Sequence, residues 1–204
     1  MSNTAELAGT IKVVGMDPSL SNWGLAYATL DLDSLEFTVD SLELVCTEPE
    51  KDKKVRKMVR KNCEDLDRVK ILQKAAVRAC EDAFIAFVEV PVGSQSSRAM
   101  TSYGVCLGVL AGLPIPLIVV TPDEVKIAGA GVKTATKEEM IEFAMREHPG
   151  ANWLMKKRGG KLVPLAKNEH LADAVAAIKA GIDTDQFQQL VSILRGRFSA
   201  LLNG

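Results

Sequence analysis

The chain has 204 residues, of which 47% are hydrophobic and 25% are charged, and its mean hydropathy is +0.08. A chain of this size and composition can bury a hydrophobic core, and we expect residues 1–204 to form one globular domain. The formal net charge of −1 argues against a protein that binds polyanions over its whole surface, so any such binding must come from local clusters of charge.

Cysteines and histidines are too few and too scattered to indicate a zinc site: Cys46, Cys63, Cys80, Cys106, His148 and His170. Reduced thiols in a cytosolic protein are the expected state. The first residues lack a basic segment followed by an apolar stretch, and no apolar run approaches the ~20 residues that span a bilayer. We therefore expect neither secretion nor insertion into a membrane.

The N-terminal part of the chain predicts three strands. After a polar leader at residues 1–10, the apolar run 11–15 ends at Asp17 and predicts a buried strand with an acid at its carboxyl end. Residues 23–30 and 36–45 contain alternating or β-branched stretches on either side of a turn-like segment, and this pattern predicts a hairpin.

A basic run, a helix and a second buried strand follow. Residues 51–61 carry seven lysines and arginines. Apolar residues at helical spacing then predict a long amphipathic helix: Leu66, Val69, Leu72, Ala76 and Ala79. Residues 83–90 form an apolar run interrupted by Glu89, which predicts a strand. The small and apolar residues of 97–112 predict a helix packed on that strand.

Strand and helix alternate in the second half of the chain. Residues 116–120 predict a fifth strand, after which Pro122 opens a short helix that ends at residues 129–131. Thr136 then caps a helix that continues to Glu147. This alternation favours an α/β sheet.

Residues 148–167 predict a basic loop: Lys156, Lys157, Arg158, Gly159, Gly160 and Lys161. Helices are predicted after it at residues 168–180 and 186–202. Both this loop and the earlier run 51–61 could add affinity for a polyanion through release of counterions, although a solvated surface is the more common meaning of such clusters.

Two acids stand at predicted strand ends. Asp17 closes an apolar strand and would face the crevice at its carboxyl end, although such an acid, taken alone, is more often part of a turn. Glu89 interrupts an apolar run, and charged side chains are rarely buried without a partner or a metal. An exposed strand end is the alternative for Glu89.

His170 and Asp173 lie three residues apart and would share one flank of a helix. Glu169 precedes Asp173 by four residues and could reach the same place. A solvated helix face is the simpler alternative for these groups. Hydrolysis of a phosphodiester by two metal ions requires several carboxylates within a few ångströms, so the combination of these acids favours a nuclease.

The order of elements and acids resembles the RuvC family of Holliday junction resolvases over roughly residues 11–181. The first motif, GMDPSLSNWG at residues 15–24, is similar to the family's strand with D-P-G and a later glycine, with Ser19 in place of the usual glycine. The most specific segment matches the pattern P-x-x-V-K followed by G-x-x-x-A-T-K-E: Pro122, Val125, Lys126, Gly131, Ala135, Thr136, Lys137 and Glu138. The segment HLADA at residues 170–174 looks like the family's terminal pair, whose first position is Asp or His.

The resemblance implies an α/β fold of the RNase H-like type, with a five-stranded mixed sheet (a three-strand meander and then two parallel strands) flanked by helices. It implies four catalytic and metal-binding residues: Asp17, Glu89, His170 and Asp173. Mg²⁺ would be the metal, with Mn²⁺ able to substitute. Lys126 and Lys137 would hold DNA phosphates, and Lys133 adds a charge where the family often has glycine.

The implied activity is that of a metal-dependent endonuclease that resolves four-way DNA junctions by paired symmetric nicks and leaves 5′-phosphate and 3′-hydroxyl ends. Two symmetric cuts need two active sites, so we expect a homodimer. Its location would be the cytoplasm of a bacterium or of a virus-infected cell.

Three alternatives stay open. Residues 90–93 carry no aromatic residue where some family members have a phenylalanine wedge, which leaves room for a relaxed nuclease that cuts flaps, forks or RNA–DNA hybrids. A non-catalytic DNA-binding module would have lost at least one acid, whereas all four positions are filled. A sugar-kinase-like or actin-like ATPase would need glycine-rich phosphate loops, for which residues 19–22 are a poor substitute.

Overall fold

The structure is a computed structural model that describes residues 9–47, 61–90, 93 and 96–202. Three features predicted from the sequence fall outside these residues: most of the N-terminal leader, the basic run as far as residue 60, and residues 91–92 at the position of the missing wedge. No helix within the described part of the chain is both long enough and apolar enough to cross a bilayer.

Five strands form the main sheet: β1 (Thr10–Asp17), β2 (Asn22–Asp31), β3 (Phe37–Cys46), β4 (Ile85–Glu89) and β5 (Leu117–Val120). Their order across the sheet is β3-β2-β1-β4-β5. The first three strands pair antiparallel as a meander, β4 pairs in parallel with β1, and β5 pairs in parallel with β4. The predicted five-stranded mixed sheet is therefore confirmed.

Six helices are described: α1 (Lys61–Ala79), α2 (Ser97–Ala111), α3 (Pro122–Ala130), α4 (Lys137–Glu147), α5 (Asn168–Ile182) and α6 (Asp185–Leu202). Thr121 and Thr136 cap α3 and α4, and each exchanges hydrogen bonds with a glutamate three residues later. Such capping boxes satisfy the amide groups that a helix start leaves without partners. In α1 the predicted apolar stripe is only partly buried, because Leu66 is 56% exposed.

The helices cover both faces of the sheet, and each face has its own core. On one face α3, α4, α5 and α6 pack around Phe87, whose ring meets the ring of Phe187 edge to face at 5.1 Å between centroids. On the other face α1 and α2 pack against residues that alternate with the first set along the same strands, such as Met16 and Val88. This two-sided burial explains why β1 and β4 are apolar almost throughout.

The predicted loop at residues 148–167 is partly wrong, because it contains a second, two-stranded sheet. β6 (Met155–Arg158) and β7 (Lys161–Pro164) pair antiparallel. Gly159 and Gly160 connect them with φ values of 57° and 79°, which residues with side chains rarely adopt. A two-residue turn of this kind is typical of a tight hairpin, so the Gly-Gly pair was the signal that could have predicted it.

Candidate active site

Asp17 and Glu89 meet at one edge of the sheet. Each is the last residue of its strand, Asp17 in β1 and Glu89 in β4. The two strands are parallel neighbours, with Met16 paired to Val88, so their carboxyl ends bring both acids to the same place. The apolar strands therefore deliver two charged groups to the crevice where parallel sheets commonly bind ligands.

The helix α5 brings the other two predicted site residues to this edge. His170 Nδ1 lies 2.6 Å from Asp17 Oδ2, although the two residues are 153 positions apart in the chain. Both side chains are largely buried, with 18% and 14% of their surfaces exposed. Asp173 lies one turn further along α5, and the charges of Asp17 and His170 both affect its pKa. All four predicted residues are therefore close together.

Two glycines allow α5 to approach the sheet so closely. A Cβ atom at Gly24 of β2 would overlap the backbone carbonyl of His170, and one at Gly15 of β1 would overlap the carbonyl of Ala174. Real Cβ atoms do not approach backbone oxygen this closely, so any side chain at these positions would push the helix outward. The glycine at the end of the first sequence motif thus has a physical role, which is to let His170 reach Asp17.

Burial and mutual repulsion hold protons on two of the acids. Burial raises the pKa of Glu89 to about 9, and the charges of Asp17 and Asp173 add to this effect. Burial likewise raises the pKa of Asp173 to about 7, again with a contribution from Asp17, while His170 and Lys126 lower it. Carboxylates crowded in this way need a proton or a cation to offset their repulsion.

The pKa of His170 is also raised, but by neighbouring negative charge and not by burial. Burial lowers its pKa, but the hydrogen bond to Asp17 and the negative charges of Asp17, Glu169 and Asp173 outweigh burial, so the net shift is upward. A donated Nδ1–H···Oδ2 bond to Asp17 fixes the ring orientation and leaves Nε2 as the second functional atom.

Glu169 also lies at the site, which the sequence left undecided. Its Oε1 is 3.4 Å from His170 Nε2, and its Oε2 is 2.5 Å from Lys137 Nζ. The Glu169 side chain is 18% exposed whereas that of Lys137 is 73% exposed. Glu169 therefore connects the metal-ligand candidates to a lysine that faces solvent at the start of α4.

The three predicted DNA-binding lysines differ in their placement. Lys126 on α3 is close enough for its charge to lower the pKa of both Glu89 and Asp173. Lys137 pairs with Glu169, as described above. Lys133 lies exposed in the segment between α3 and α4, and the structure gives it no contact with the four site residues.

Cys106 of α2 is a neighbour of the site that the sequence did not indicate. Its thiol is buried, and burial, with a further contribution from the charge of Asp17, raises its pKa to about 11. The thiol is therefore protonated and is a poor metal ligand or nucleophile at neutral pH. No sequence signal could have placed it here, because its position depends on how α2 packs on β1 and β4.

The donor set fits hard divalent cations, which prefer carboxylate oxygens and accept an imidazole when the ion is Mn²⁺. Asp17, Glu89 and Asp173 would supply the oxygens and His170 the nitrogen. Within the described residues no three such groups already surround one point. Asp17 and His170 instead bond to each other, so a metal would have to separate them or bind their free atoms.

The raised carboxyl pKa values predict how stability depends on pH when metal is removed. The folded state retains protons on Glu89 and Asp173 that the unfolded chain releases, and His170 acts in the same direction. The free energy of unfolding should therefore fall as pH rises from about 5 to about 8, with Glu89 contributing on the order of 3 kcal/mol. Urea unfolding in the presence of a chelator would measure it. Glu89→Gln should flatten the dependence, and a wild-type protein that gained stability over this range would contradict the expectation.

The fold matches that of solved RuvC structures. Over 88% of this chain and 96% of the other, it superposes on Thermus thermophilus RuvC in complex with a Holliday junction substrate, with a TM-score of 0.59 and 21% sequence identity. The structure of Thermus thermophilus RuvC determined separately gives a TM-score of 0.56, also at 21% identity, over 89% and 97% of the two chains. The sequence matches no protein-family model and is not significantly similar to any curated protein. The chain thus has the RuvC-like, RNase H-like fold that the order of its motifs predicted.

Proposed function

We propose that this protein is a divalent-metal-dependent endonuclease that resolves four-way DNA junctions. The observation that carries the proposal is the meeting of Asp17, Glu89, His170 and Asp173 at one edge of a RuvC-like sheet, with the pKa of Glu89 raised to about 9. A purely structural ion-pair network would hold comparable numbers of buried cations and anions. At this site the partly buried acids Asp17, Glu89, Glu169 and Asp173 outnumber the partly buried Lys126 and His170, which is the charge balance that a metal site requires.

Asp17, Glu89 and Asp173 are the proposed carboxylate ligands, and His170 is the fourth. Bound divalent ions would activate the attacking water and neutralise the charge that develops on the leaving oxygen. The strands hold Asp17 and Glu89 in fixed positions, and α5 holds His170 and Asp173. Rigid elements of this kind preserve a site geometry better than loops do.

His170 would serve either as that fourth ligand or as the proton-transfer group. Asp17 accepts the hydrogen bond from Nδ1, so Nε2 is the ring atom left either to bind a metal ion or to take the proton of the attacking water. Glu169 lies 3.4 Å from Nε2 and restrains the ring from the other side. The product ends would be a 5′-phosphate and a 3′-hydroxyl.

Lys126, Lys133 and Lys137 are the proposed contacts to DNA phosphates. Lysine offers a mobile point charge with three donors, which suits a phosphate whose position shifts during cleavage. Lys126 and Lys137 lie next to the acids, and Lys133 extends the positive charge along the exposed segment between α3 and α4. Two symmetric cuts in one junction also require two copies of the site, so we propose a homodimer.

A panel of labelled DNA substrates tests this function. The purified protein is incubated with a four-way junction, a flap, a fork and a linear duplex, in Mg²⁺, in Mn²⁺ and in chelator. We expect paired, symmetric and ligatable nicks on the four-way junction and no cutting in chelator. Preferential cutting of flaps or forks would indicate a relaxed nuclease of the same fold and not a resolvase. Junction binding without cleavage in either metal would indicate a DNA-binding module.

Substitution of Glu169 distinguishes two possible roles of this residue, which are to bind a metal ion or only to restrain Lys137. We expect Glu169→Gln to tighten junction binding about fivefold at low salt, because it removes a negative charge next to the DNA backbone, worth about 1 kcal/mol. The single-turnover cleavage rate should fall by less than about tenfold. Gel shift and rapid-quench measurements give the two quantities separately.

Glu138→Gln is the matched control for this substitution, because it removes the same charge from an exposed residue of α4 that follows Lys137 in the chain. It lacks the contacts to Lys137 Nζ and His170 Nε2 that Glu169 makes, so its effects on both quantities should be smaller. If Glu169→Gln instead abolished cleavage in both metals, Glu169 would belong among the metal ligands.

A further inference from the structure

The β6–β7 hairpin carries a concentration of positive charge that the proposed site does not use. Between Glu147 and Glu169 the sequence contains five lysines and arginines and no acid, whereas the whole chain has a net charge of −1. Four of these cations lie on the hairpin itself and are exposed: Lys156, Lys157, Arg158 and Lys161. Within the described residues none of the four forms an ion pair.

The strand register places three of the cations on one face of the hairpin. Arg158 is paired with Lys161, and Lys156 with Val163, so Lys156, Arg158 and Lys161 share a face. Lys157 lies on the other face with Met155 and Leu162, of which Leu162 is 63% exposed. Like charges directly opposite each other destabilise a strand pair. The sequence keeps this repulsion with no acid to offset it, as expected if the charges serve an external anion.

The base of the hairpin is fixed to the body of the protein. The side chain of Asn168, which is fully buried, accepts a hydrogen bond from Leu154 N and donates one to Leu154 O, both at 2.9 Å. The side chain of Asn152 bridges in the same way to the backbone of Leu42 in β3, at 2.7 and 2.9 Å. The buried Trp153 lies between these two asparagine anchors. These contacts fix the base of the hairpin to the body of the protein.

The anchor also fixes the hairpin relative to the candidate active site. Asn168 is the first residue of α5 and precedes His170 by two positions. The hairpin therefore leaves the body at the end of α5 that faces Asp17 and Glu89. The base of this basic ribbon is therefore bonded to the first turn of the helix that carries His170, so a duplex arm leaving a strand bound at the site could reach it.

We propose that the β6–β7 hairpin binds a duplex DNA arm next to the cleavage site, with Lys156, Arg158 and Lys161 contacting backbone phosphates. The inference rests on the proposed nuclease function and adds the surface that grips the substrate outside the site. The major groove of B-form DNA is about 12 Å wide and admits a two-stranded β-ribbon. Phosphate contacts of this kind raise affinity without reading sequence.

The test measures DNA binding in the Asp17→Asn background, so that it does not depend on cleavage. The hairpin variant combines Lys156→Gln, Arg158→Gln and Lys161→Gln. Its matched control combines Lys12→Gln, Lys70→Gln and Arg146→Gln, which removes three exposed cations that already pair with acids elsewhere. A third variant, Lys156→Arg with Lys161→Arg, keeps the charge. Affinity for a four-way junction and for a duplex is measured over a range of salt concentrations, and circular dichroism checks folding.

We expect the hairpin variant to bind at least ~10-fold more weakly at low salt, with the slope of log affinity against log salt shallower by about 2 to 3. The control and the arginine variant should stay within about twofold of the parent. Equal affinities for the hairpin and control variants, or no binding of either DNA by the parent, would overturn the proposal. If the wild-type protein bound DNA through the hairpin but cut no substrate, the proposed nuclease function would be wrong. The proposed role of the hairpin in DNA binding would still hold.

Discussion

Asp17→Asn is expected to lower the rate of junction cleavage by on the order of 10³-fold or more while leaving junction binding intact. Asn keeps the size of the side chain and can still accept the hydrogen bond from His170 Nδ1, so the contact observed at 2.6 Å is retained. What disappears is the negative charge that would hold a cation between β1 and α5. Single-turnover cleavage in Mg²⁺ and a parallel binding assay give the two quantities.

The same variant should be more stable than the wild type when metal is absent. The charge of Asp17 is the second-largest cause, after burial, of the raised pKa values of Glu89 and Asp173. Removing it should raise the free energy of unfolding at about pH 8 by roughly 1 kcal/mol. A gain in stability together with a loss of activity is typical of a functional site in which like charges are held together.

Asp67→Asn is the matched control for Asp17→Asn. It removes the same charge from a side chain of α1 that is 70% exposed and pairs only with Lys70 among the described residues. Neither cleavage nor stability should change measurably, because exposed pairs of this kind contribute little. Full cleavage activity in Asp17→Asn, with either metal, would remove Asp17 from the proposed mechanism.

Gly24→Ala should produce the largest loss of stability among the predicted variants. The added Cβ would overlap the carbonyl carbon and oxygen of His170, which are backbone atoms that cannot turn aside. We expect the free energy of unfolding to fall by about 3 kcal/mol, at the upper end of the range for overpacking. Chemical denaturation measures the loss directly.

The same substitution should also slow cleavage, for a geometric reason. Relief of the overlap requires the first turn of α5 to move away from the sheet, and His170 then loses its distance to Asp17. Displacement of a catalytic group by about 1 Å can cost on the order of 10²-fold in rate. The rate must be measured well below the melting temperature of the variant so that unfolding does not contribute.

Gly108→Ala supplies the control for this substitution. Gly108 lies within α2, and nothing lies within 4 Å of a Cβ added there. Alanine should therefore stabilise the helix by up to about 1 kcal/mol and leave the cleavage rate unchanged. A Gly24→Ala protein as stable and active as Gly108→Ala would show that α5 is not held as close to the sheet as the structure indicates.

Apart from the β6–β7 hairpin, the sequence alone determined the kind and order of the elements, and it determined the identity of the candidate ligands. Local patterns contain this information: apolar runs that end in Asp17 and Glu89 predict buried strands with an acid at the end, and helical spacing places His170 and Asp173 on one flank. The resemblance to a resolvase family came from the same short segments. Each of these signals spans no more than about twenty residues, so no tertiary contact was needed to find it.

Only the tertiary structure decided how the elements meet. The 2.6 Å contact between Asp17 and His170 depends on the absence of a side chain at Gly24, on a different strand, and no local pattern expresses that dependence. The positions of Glu169 beside Lys137 and of Cys106 near Asp17 arise in the same way. The basic hairpin had a local signal in Gly159-Gly160, but its base is attached to the body by the buried side chain of Asn168. Distances between groups far apart in the chain are set by close packing, where one added methyl group is enough to move a helix.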